Sequence, residues 1–323
     1  MTPLAIFAFR RPDHLRALLA SVAKCRRLEE CAITIFCDGP RGPDDADAVQ
    51  AARTVAREWA AAQGAQIVER AENLGLARSI VTAVTELVNA HGRVIVVEDD
   101  MILSPDFLDF ILMGLDRYEH DERALQITGF QFALEPLPKA DAFFIPLAST
   151  WGWATWRRAW QHFRWQPENP ERLEDSATRD RFNLEGAYPY STLLKNRLEG
   201  RNDSWGILWY WAVFQADGLV VFPRESLVNV GGADGSGTHC NTRHHDAGPQ
   251  QLGRMRGSEV FVWPGDVACD EAEWRAIKRC MAGLRRAAES VSFFQKVRTR
   301  LGSALRAGGL GKSVGVAKIK PSL

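Results

Sequence analysis

Val94-Ile95-Val96-Val97-Glu98-Asp99-Asp100 sets three consecutive carboxylates directly behind four apolar β-branched residues. An apolar run without polar interruption is the pattern of a strand covered by helices on both faces of a sheet. Outward from it, short apolar runs alternate with longer amphipathic ones. Leu4–Phe9 reads as a buried strand, and Pro12-Asp13 opens a helix through about Ala23. Ala32–Cys37 is a second strand, ending at the turn signal Asp38-Gly39-Pro40. Asp44–Ala62 is Ala-rich and helical, Gln66–Val68 is a short strand, and Leu76–Asn89 keeps the helical period through Ile80, Val84, Leu87 and Val88. Repeated βα units predict an α/β fold with a mainly parallel sheet flanked by helices. Ser104-Pro105-Asp106 supplies an N-cap and an N1 proline for a helix to about Tyr118.

In an open α/β sheet, ligands gather beyond the carboxyl ends of the strands, where Glu98-Asp99-Asp100 falls. Three adjacent carboxylates repel one another and lose solvation at a strand end unless a cation joins them. A hard divalent ion such as Mg²⁺ or Mn²⁺ meets that need, because carboxylates and substrate phosphates share its octahedral shell. The plain alternative is a solvated acidic turn before the next helix. Placement at a strand end favours the metal.

Four features occur in order: the strand Leu4–Phe9, Asp38 after the second strand, Asn73-Leu74-Gly75-Leu76-Ala77-Arg78, and Val94–Asp100. Together they resemble the nucleotide-binding half of GT-A glycosyltransferases, which have a Rossmann-like fold. The Asn-x-Gly-x-Ala-Arg segment is similar to the family 2 transferases. Glu-Asp-Asp with Ser104-Pro105-Asp106-Phe107 after it is similar to the DxD region of the N-acetylglucosaminyltransferase I family. The resemblance covers roughly residues 4–110 and is loose beyond. It implies that Asp100 is the direct metal ligand bridging to a diphosphate. It also implies that Asp99 faces the ribose or donor sugar, Glu98 supports the cluster, Asp38 accepts from the nucleobase, and Arg78 lies near the diphosphate. The donor it implies is a nucleotide sugar, UDP-linked, with Mn²⁺ or Mg²⁺. The residues themselves leave other readings: Asp38 as an Asx-turn before Gly39, and Arg78 as a solvated helix residue. Arg10 and Arg11 follow the first strand, where they either touch the nucleotide or sit in a solvated loop.

Beyond about residue 124 the pattern loosens. Helices are predicted at about Arg179–Leu198 and Gly206–Ala216, a strand at Leu219–Phe222 and a helix at Asp270–Glu289. Glycosyl transfer by single displacement needs a base for the acceptor hydroxyl. Asp203 is the candidate, resembling the acidic residue that inverting GT-A enzymes carry before an acceptor-side helix. It reads equally as a helix N-cap, with Glu199 in reserve. His239, in the loop following Gly231–Gly237, is a candidate further metal ligand; His244 and His245 lie nearby, and a surface histidine is the alternative. Trp151, Trp153, Trp156, Trp160 and Trp165 fall within fifteen residues. Indole faces stack on sugars, so Trp151–Trp156 is expected to line the donor or acceptor pocket, although core packing is the commoner use of any single Trp.

Forty basic and forty acidic residues cancel, which argues against a nucleic-acid partner. Six cysteines without CxxC spacing read as reduced thiols. No basic region precedes Leu4–Phe9, six residues are too few for a signal-peptide core, and no run reaches membrane-span length. The expectation is a cytoplasmic protein with a catalytic domain over residues 1–270, in a nucleotide-binding half (about 1–120) and an acceptor half (about 121–270). Residues 271–323 form a helical basic extension. From Arg275 onward there are twelve Lys or Arg against Glu289 alone. Within it, Val291–Lys320 approximates an amphipathic basic helix able to lie on an anionic membrane surface, at the inner face, or a solvated terminal helix. The acceptor is then a glycan or glycolipid hydroxyl. The rival classes are a noncatalytic nucleotide-sugar-binding protein and a metal-dependent nucleotidyltransferase.

Overall fold

The computed structural model describes residues 1–230 and 261–286. In chain order the strands are β1 (Thr2–Ala8), β2 (Cys31–Cys37), β3 (Gln66–Glu69), β4 (Arg93–Glu98), β5 (Met101–Leu103), β6 (Ala124–Thr128), β7 (Ala142–Ile145), β8 (Trp153–Trp156), β9 (Leu219–Pro223) and β10 (Val228–Val230). The helices are α1 (Pro12–Val22), α2 (Pro43–Gln63), α3 (Gly75–His91), α4 (Phe107–Arg117), α5 (Arg157–Trp160), α6 (Ser176–Phe182), α7 (Tyr190–Leu198) and α8 (Trp205–Gln215). Eight strands form one sheet in the order β3-β2-β1-β4-β8-β6-β9-β7. β1 to β4 are mutually parallel, and β6 and β9 share their direction; β8 and β7 run against it. The fold is therefore mixed α/β with a mainly parallel sheet flanked by helices.

The first half follows its hydrophobic periodicity. All seven residues of β1 are buried, and Leu4 to Phe7 pair with Ile95 to Glu98 at the sheet centre. On α1, Leu15, Leu18, Leu19 and Val22 lie in the core, the i, i+3, i+4, i+7 stripe of a one-faced helix. On α3 the same stripe is Ala77, Ile80, Val81, Val84 and Val88. That helix stops at Gly92, whose φ of 81° suits glycine, and β4 begins at once.

The structure departs from the sequence reading in three places. The helix expected over Arg179–Leu198 is two helices, α6 and α7. Leu184, Glu185 and Gly186 all have left-handed φ values (57°, 55° and 78°), and Pro189 comes after them, so helical hydrogen bonding cannot run through. The N-cap of α4 is Asp106 rather than Ser104; the Ser104 hydroxyl instead accepts from the Asp106 N–H at 3.3 Å within the preceding turn. The Trp151–Trp156 segment is largely the interior strand β8. Trp153 and Trp156 are buried, and Trp153 packs on Trp205, Trp160 and Trp209 at ring-centroid distances of 5.4, 5.8 and 6.4 Å. Burial of these rings favours the core-packing alternative for them, while Trp151 stays half-buried. α8 is apolar all round, from Trp205 to Phe214, as a helix enclosed by the core must be.

Residues 271–286 are helical and bury Trp274, Ile277 and Met281. The segment before them is fastened by Trp263, stacked on Phe110 at 5.2 Å, and by the Val262 N–H donating to Asp141 Oδ2 at 2.8 Å. Among the described residues no helix is long and apolar enough to cross a membrane.

Candidate active site

β1, β2 and β4 are neighbours with a common direction, so the residues just beyond their carboxyl ends meet at one edge of the sheet. Phe9 to Arg11, Asp38 and Glu98 to Asp100 are brought there together. The pairing runs past the strand ends: the Asp38 N–H donates to the Ala8 carbonyl and the Asp99 N–H to the Phe7 carbonyl, both at 3.0 Å. Met101–Leu103 then leaves as β5 and pairs antiparallel with β10, Met101 opposite Val230. Asp99 and Asp100 thus occupy the turn between two sheets and are held from both sides.

Within this turn the three carboxylates differ. Asp99 is buried; its Oδ2 accepts from the Phe9 N–H at 3.3 Å and its Oδ1 is ion-paired with Arg11 Nη2. The Asp100 side chain is more open, 16% exposed against 5% for Asp99, with Oδ2 3.3 Å from Arg11 Nη2. Glu98 is half-buried at the end of β4. Burial first, then repulsion from Asp100 and Asp99, holds the Glu98 carboxyl well above the usual carboxylate range. Burial likewise raises Asp99, against the pull of Arg11. Burial also opposes the charge on Arg11, but Asp99 and Asp100 outweigh it, and the guanidinium is held charged. Three carboxyl groups thus face one guanidinium, and burial works against the charge on two of them.

A raised carboxyl pKa has a definite sign in stability. The folded chain holds the Glu98 proton more tightly than the unfolded chain, so folding loses stability as pH rises and Glu98 ionises. Without divalent cations, Glu98→Gln is expected to melt above the wild type near neutral pH. The advantage should vanish as pH falls below the ordinary Glu pKa of ~4.3. A melting temperature that is unchanged or lower at neutral pH would show that Glu98 carries no such cost.

Asp38 and the Asn73–Arg78 segment form one clasp. Asp38 Oδ1 accepts from Gly39 N at 3.0 Å and Leu74 N at 2.9 Å, and Oδ2 accepts from Gly75 N at 3.0 Å. Asn73 Nδ2 donates to the Gly39 carbonyl at 2.8 Å in return. A Cβ at Gly39 would lie 2.4 Å from the Glu72 carbonyl carbon, so no other residue allows the two loops to approach this closely. Both Asp38 oxygens are thus engaged by backbone N–H groups, two of them at the start of α3. Arg78 lies on the first turn of that helix and is exposed.

Arg10 and Arg11 diverge. Arg10 Nη1 bridges to Asp45 Oδ1 at 2.5 Å, and Arg41 Nε binds the other oxygen of Asp45 at 2.7 Å. Hydrogen bonds from Arg41, and then from Arg10, hold Asp45 down at about 2. Arg11 is the one that reaches the acidic turn. A signal for it existed in the sequence, since three carboxylates call for a cation and the strand beside theirs ends in two arginines. Periodicity does not choose between the two, because strand alternation stops at Ala8.

Later in the chain, α8 begins beside the same edge: a Cβ on Gly206 would lie 3.2 Å from Thr150 Cγ2, and Thr150 precedes β8, which runs antiparallel beside β4. Asp203 is exposed just before that helix, whose N-cap is Ser204, with its hydroxyl accepting from Ile207 N at 3.4 Å. Glu199 ion-pairs with Arg201. His239, His244 and His245 lie outside the described residues.

Two surface clefts, of about 290 and 460 Å³, lie elsewhere. The smaller is lined by Arg181, Tyr210, Asp217 and Trp274 and opens at the start of β9, the opposite edge of the sheet; the larger is lined by Arg179, Asp180 and Asn183. Neither borders Glu98–Asp100. Among the described residues no group of three or more His, Cys, Asp or Glu side chains is arranged to hold a metal ion. The donor set nevertheless fits a hard cation that takes one or two protein carboxylates and completes its shell from substrate phosphates and water. Asp100 offers the less buried carboxylate of the two aspartates.

No known family's sequence profile matches the chain, and no curated protein matches it. Among solved structures it is similar to residues 1–349 of S. aureus TarS, at 11% identity and a TM-score of 0.42, over 69% of this chain and 58% of that one. Against the larger TarS structure the identity is 12% and the TM-score 0.33, over 46% of this chain and 25% of that one. It is also similar to glucosyl-3-phosphoglycerate synthase from Mycobacterium tuberculosis in complex with Mn²⁺, UDP-glucose and phosphoglyceric acid. There the identity is 13% and the TM-score 0.30, over 49% of this chain and 56% of that one. The chain spans less than two thirds of each of these relatives. All three likenesses are partial, and the chemistry of this chain is read from its own residues.

Proposed function

We propose that the chain is a metal-dependent glycosyltransferase, moving a sugar from a nucleotide-sugar donor, UDP-linked, to a hydroxyl of a glycan or lipid-linked acceptor with inversion. The observation that carries this reading is the acidic turn: Asp100, less buried than its Arg-paired neighbour Asp99, at the carboxyl edge of a mainly parallel sheet. Asp100 would hold Mn²⁺ or Mg²⁺, with His239 as a further ligand; the described chain reaches the turn at Val230, paired with Met101. The bound ion supplies a Lewis acid that offsets the charge growing on the departing diphosphate.

The protein's residues do the rest. Asp99, fixed by Arg11 and the Phe9 N–H, presents its carboxylate toward the ribose or donor sugar. Arg78, exposed on the first turn of α3, lies where a guanidinium fork suits phosphate oxygens. Asp38, at the clasp, would accept from the nucleobase, and Arg10 would touch the nucleotide if released from Asp45. Asp203 takes the acceptor proton as the hydroxyl attacks the anomeric carbon from the face opposite the diphosphate. A lipid-linked acceptor accords with the basic residues beyond Arg275, most of which lie outside the described residues.

A panel of radiolabelled nucleotide sugars with Mn²⁺ tests the reading directly. The expected result is slow release of nucleoside diphosphate from one donor class, abolished by EDTA. Binding of nucleotide without cleavage of any donor would make the chain a noncatalytic binder, and release of pyrophosphate from a nucleoside triphosphate would make it a nucleotidyltransferase.

A further inference from the structure

Asp100 is asked to bind a cation, yet it already faces one. Arg11 Nη1 lies 3.4 Å and Nη2 3.3 Å from Asp100 Oδ2, while Nη2 also pairs with Asp99. This guanidinium is not a surface group that drifted inward. Its side chain is only 18% exposed, and its backbone is the N-cap of α1, directly before Pro12. Pro12 fixes the start of the helix, so the guanidinium is projected from a set point on β1's end across to the turn after β4.

A divalent ion on Asp100 and a guanidinium 3.3 Å from its Oδ2 oppose each other, because two positive charges repel across one carboxylate and share its electron density. A nucleoside diphosphate changes the balance: its oxygens complete the shell of the ion and offer the guanidinium a forked anionic partner. We infer that Arg11 is a built-in counter-ion that holds the acidic turn while the site is empty and passes to the diphosphate when donor and metal arrive together. Metal binding is thereby made dependent on donor. Arg11 acts here as a positioning residue, and the inference rests on the metal role proposed for Asp100.

The test is Mn²⁺ binding by the full chain, measured through the electron paramagnetic resonance of free Mn²⁺, with and without UDP. Wild type should bind Mn²⁺ weakly alone and at least about tenfold more tightly with UDP, within the usual span of coupling between two ligands. Arg11→Met should bind Mn²⁺ alone about tenfold more tightly than wild type, and UDP should then add less than it adds in wild type, because only its ligation of the ion remains. Should Arg11→Met fail to fold, Arg11→Gln, also neutral but able to hydrogen-bond Asp99, carries the same expectation. Folded variants with Mn²⁺ affinity equal to or weaker than wild type overturn the counter-ion role. Donor cleavage by the wild type is scored separately: with cleavage present, equal affinities overturn this inference alone. A wild type that binds no Mn²⁺ even with UDP, and cleaves no donor, overturns the transferase reading with it.

Discussion

Asp100→Asn is expected to lower metal-dependent donor cleavage by about 10³-fold, the scale on which loss of one transition-state charge stabiliser acts. The amide keeps the shape of the side chain but is a poor ligand for a hard cation. Folding should change little, because Asp100 is the partly open member of the cluster and relief of like-charge repulsion offsets the weakened contact with Arg11. Affinity for UDP in the absence of metal should stay within a few-fold, since nothing in the Asp38 clasp depends on Asp100. Calorimetry for UDP and initial rates across Mn²⁺ concentrations separate the two effects. Wild-type rates in Asp100→Asn would move the metal away from this residue.

Asp203→Asn is expected to reduce kcat by about 10²- to 10⁴-fold, the usual contribution of a general base, with donor KM nearly unchanged. Ser204, not Asp203, caps α8, so the alternative role given by the sequence has another occupant. Asn would leave that cap in place, and the melting temperature should hold within a few degrees. If Asp203 is the base, the product carries the inverted anomeric configuration. Retention of configuration by NMR, or full activity in Asp203→Asn, would remove it from the mechanism.

Legibility along the chain was uneven for physical reasons. The first hundred residues alternate strands and one-faced helices, each element signalling itself by its own periodicity: β1 and β4 by apolar runs, β2 by a run broken only at Thr34, α1 and α3 by their stripes. The second half lacks such independent signals. β8 is a four-residue strand of two Trp, an Ala and a Thr, whose composition alone suits a sugar platform as well as a core. It became a core strand because β4 and β6 flank it and α8 brings Trp205 and Trp209 against Trp153. The break between α6 and α7 was marked by Gly186 and Pro189, yet a helical pattern on either side concealed it.

The same division holds at the acidic turn. Sequence by itself determined that Glu98-Asp99-Asp100 comes after a buried strand and therefore stands at the edge of an α/β sheet, because an apolar run long enough to need cover on both faces leaves its next residues at the rim. It determined too that Asp38-Gly39 and Asn73–Arg78 belong to the same edge, each lying beyond a strand. Tertiary structure alone decided how the charges are shared. Arg11 rather than Arg10 meets the carboxylates, Asp99 is buried while Asp100 stays open, and both oxygens of Asp38 are engaged in holding the two loops together. The reason is that periodicity dictates which face a residue takes only inside regular elements. These residues all lie in turns, where side-chain direction is set by neighbours distant in the chain.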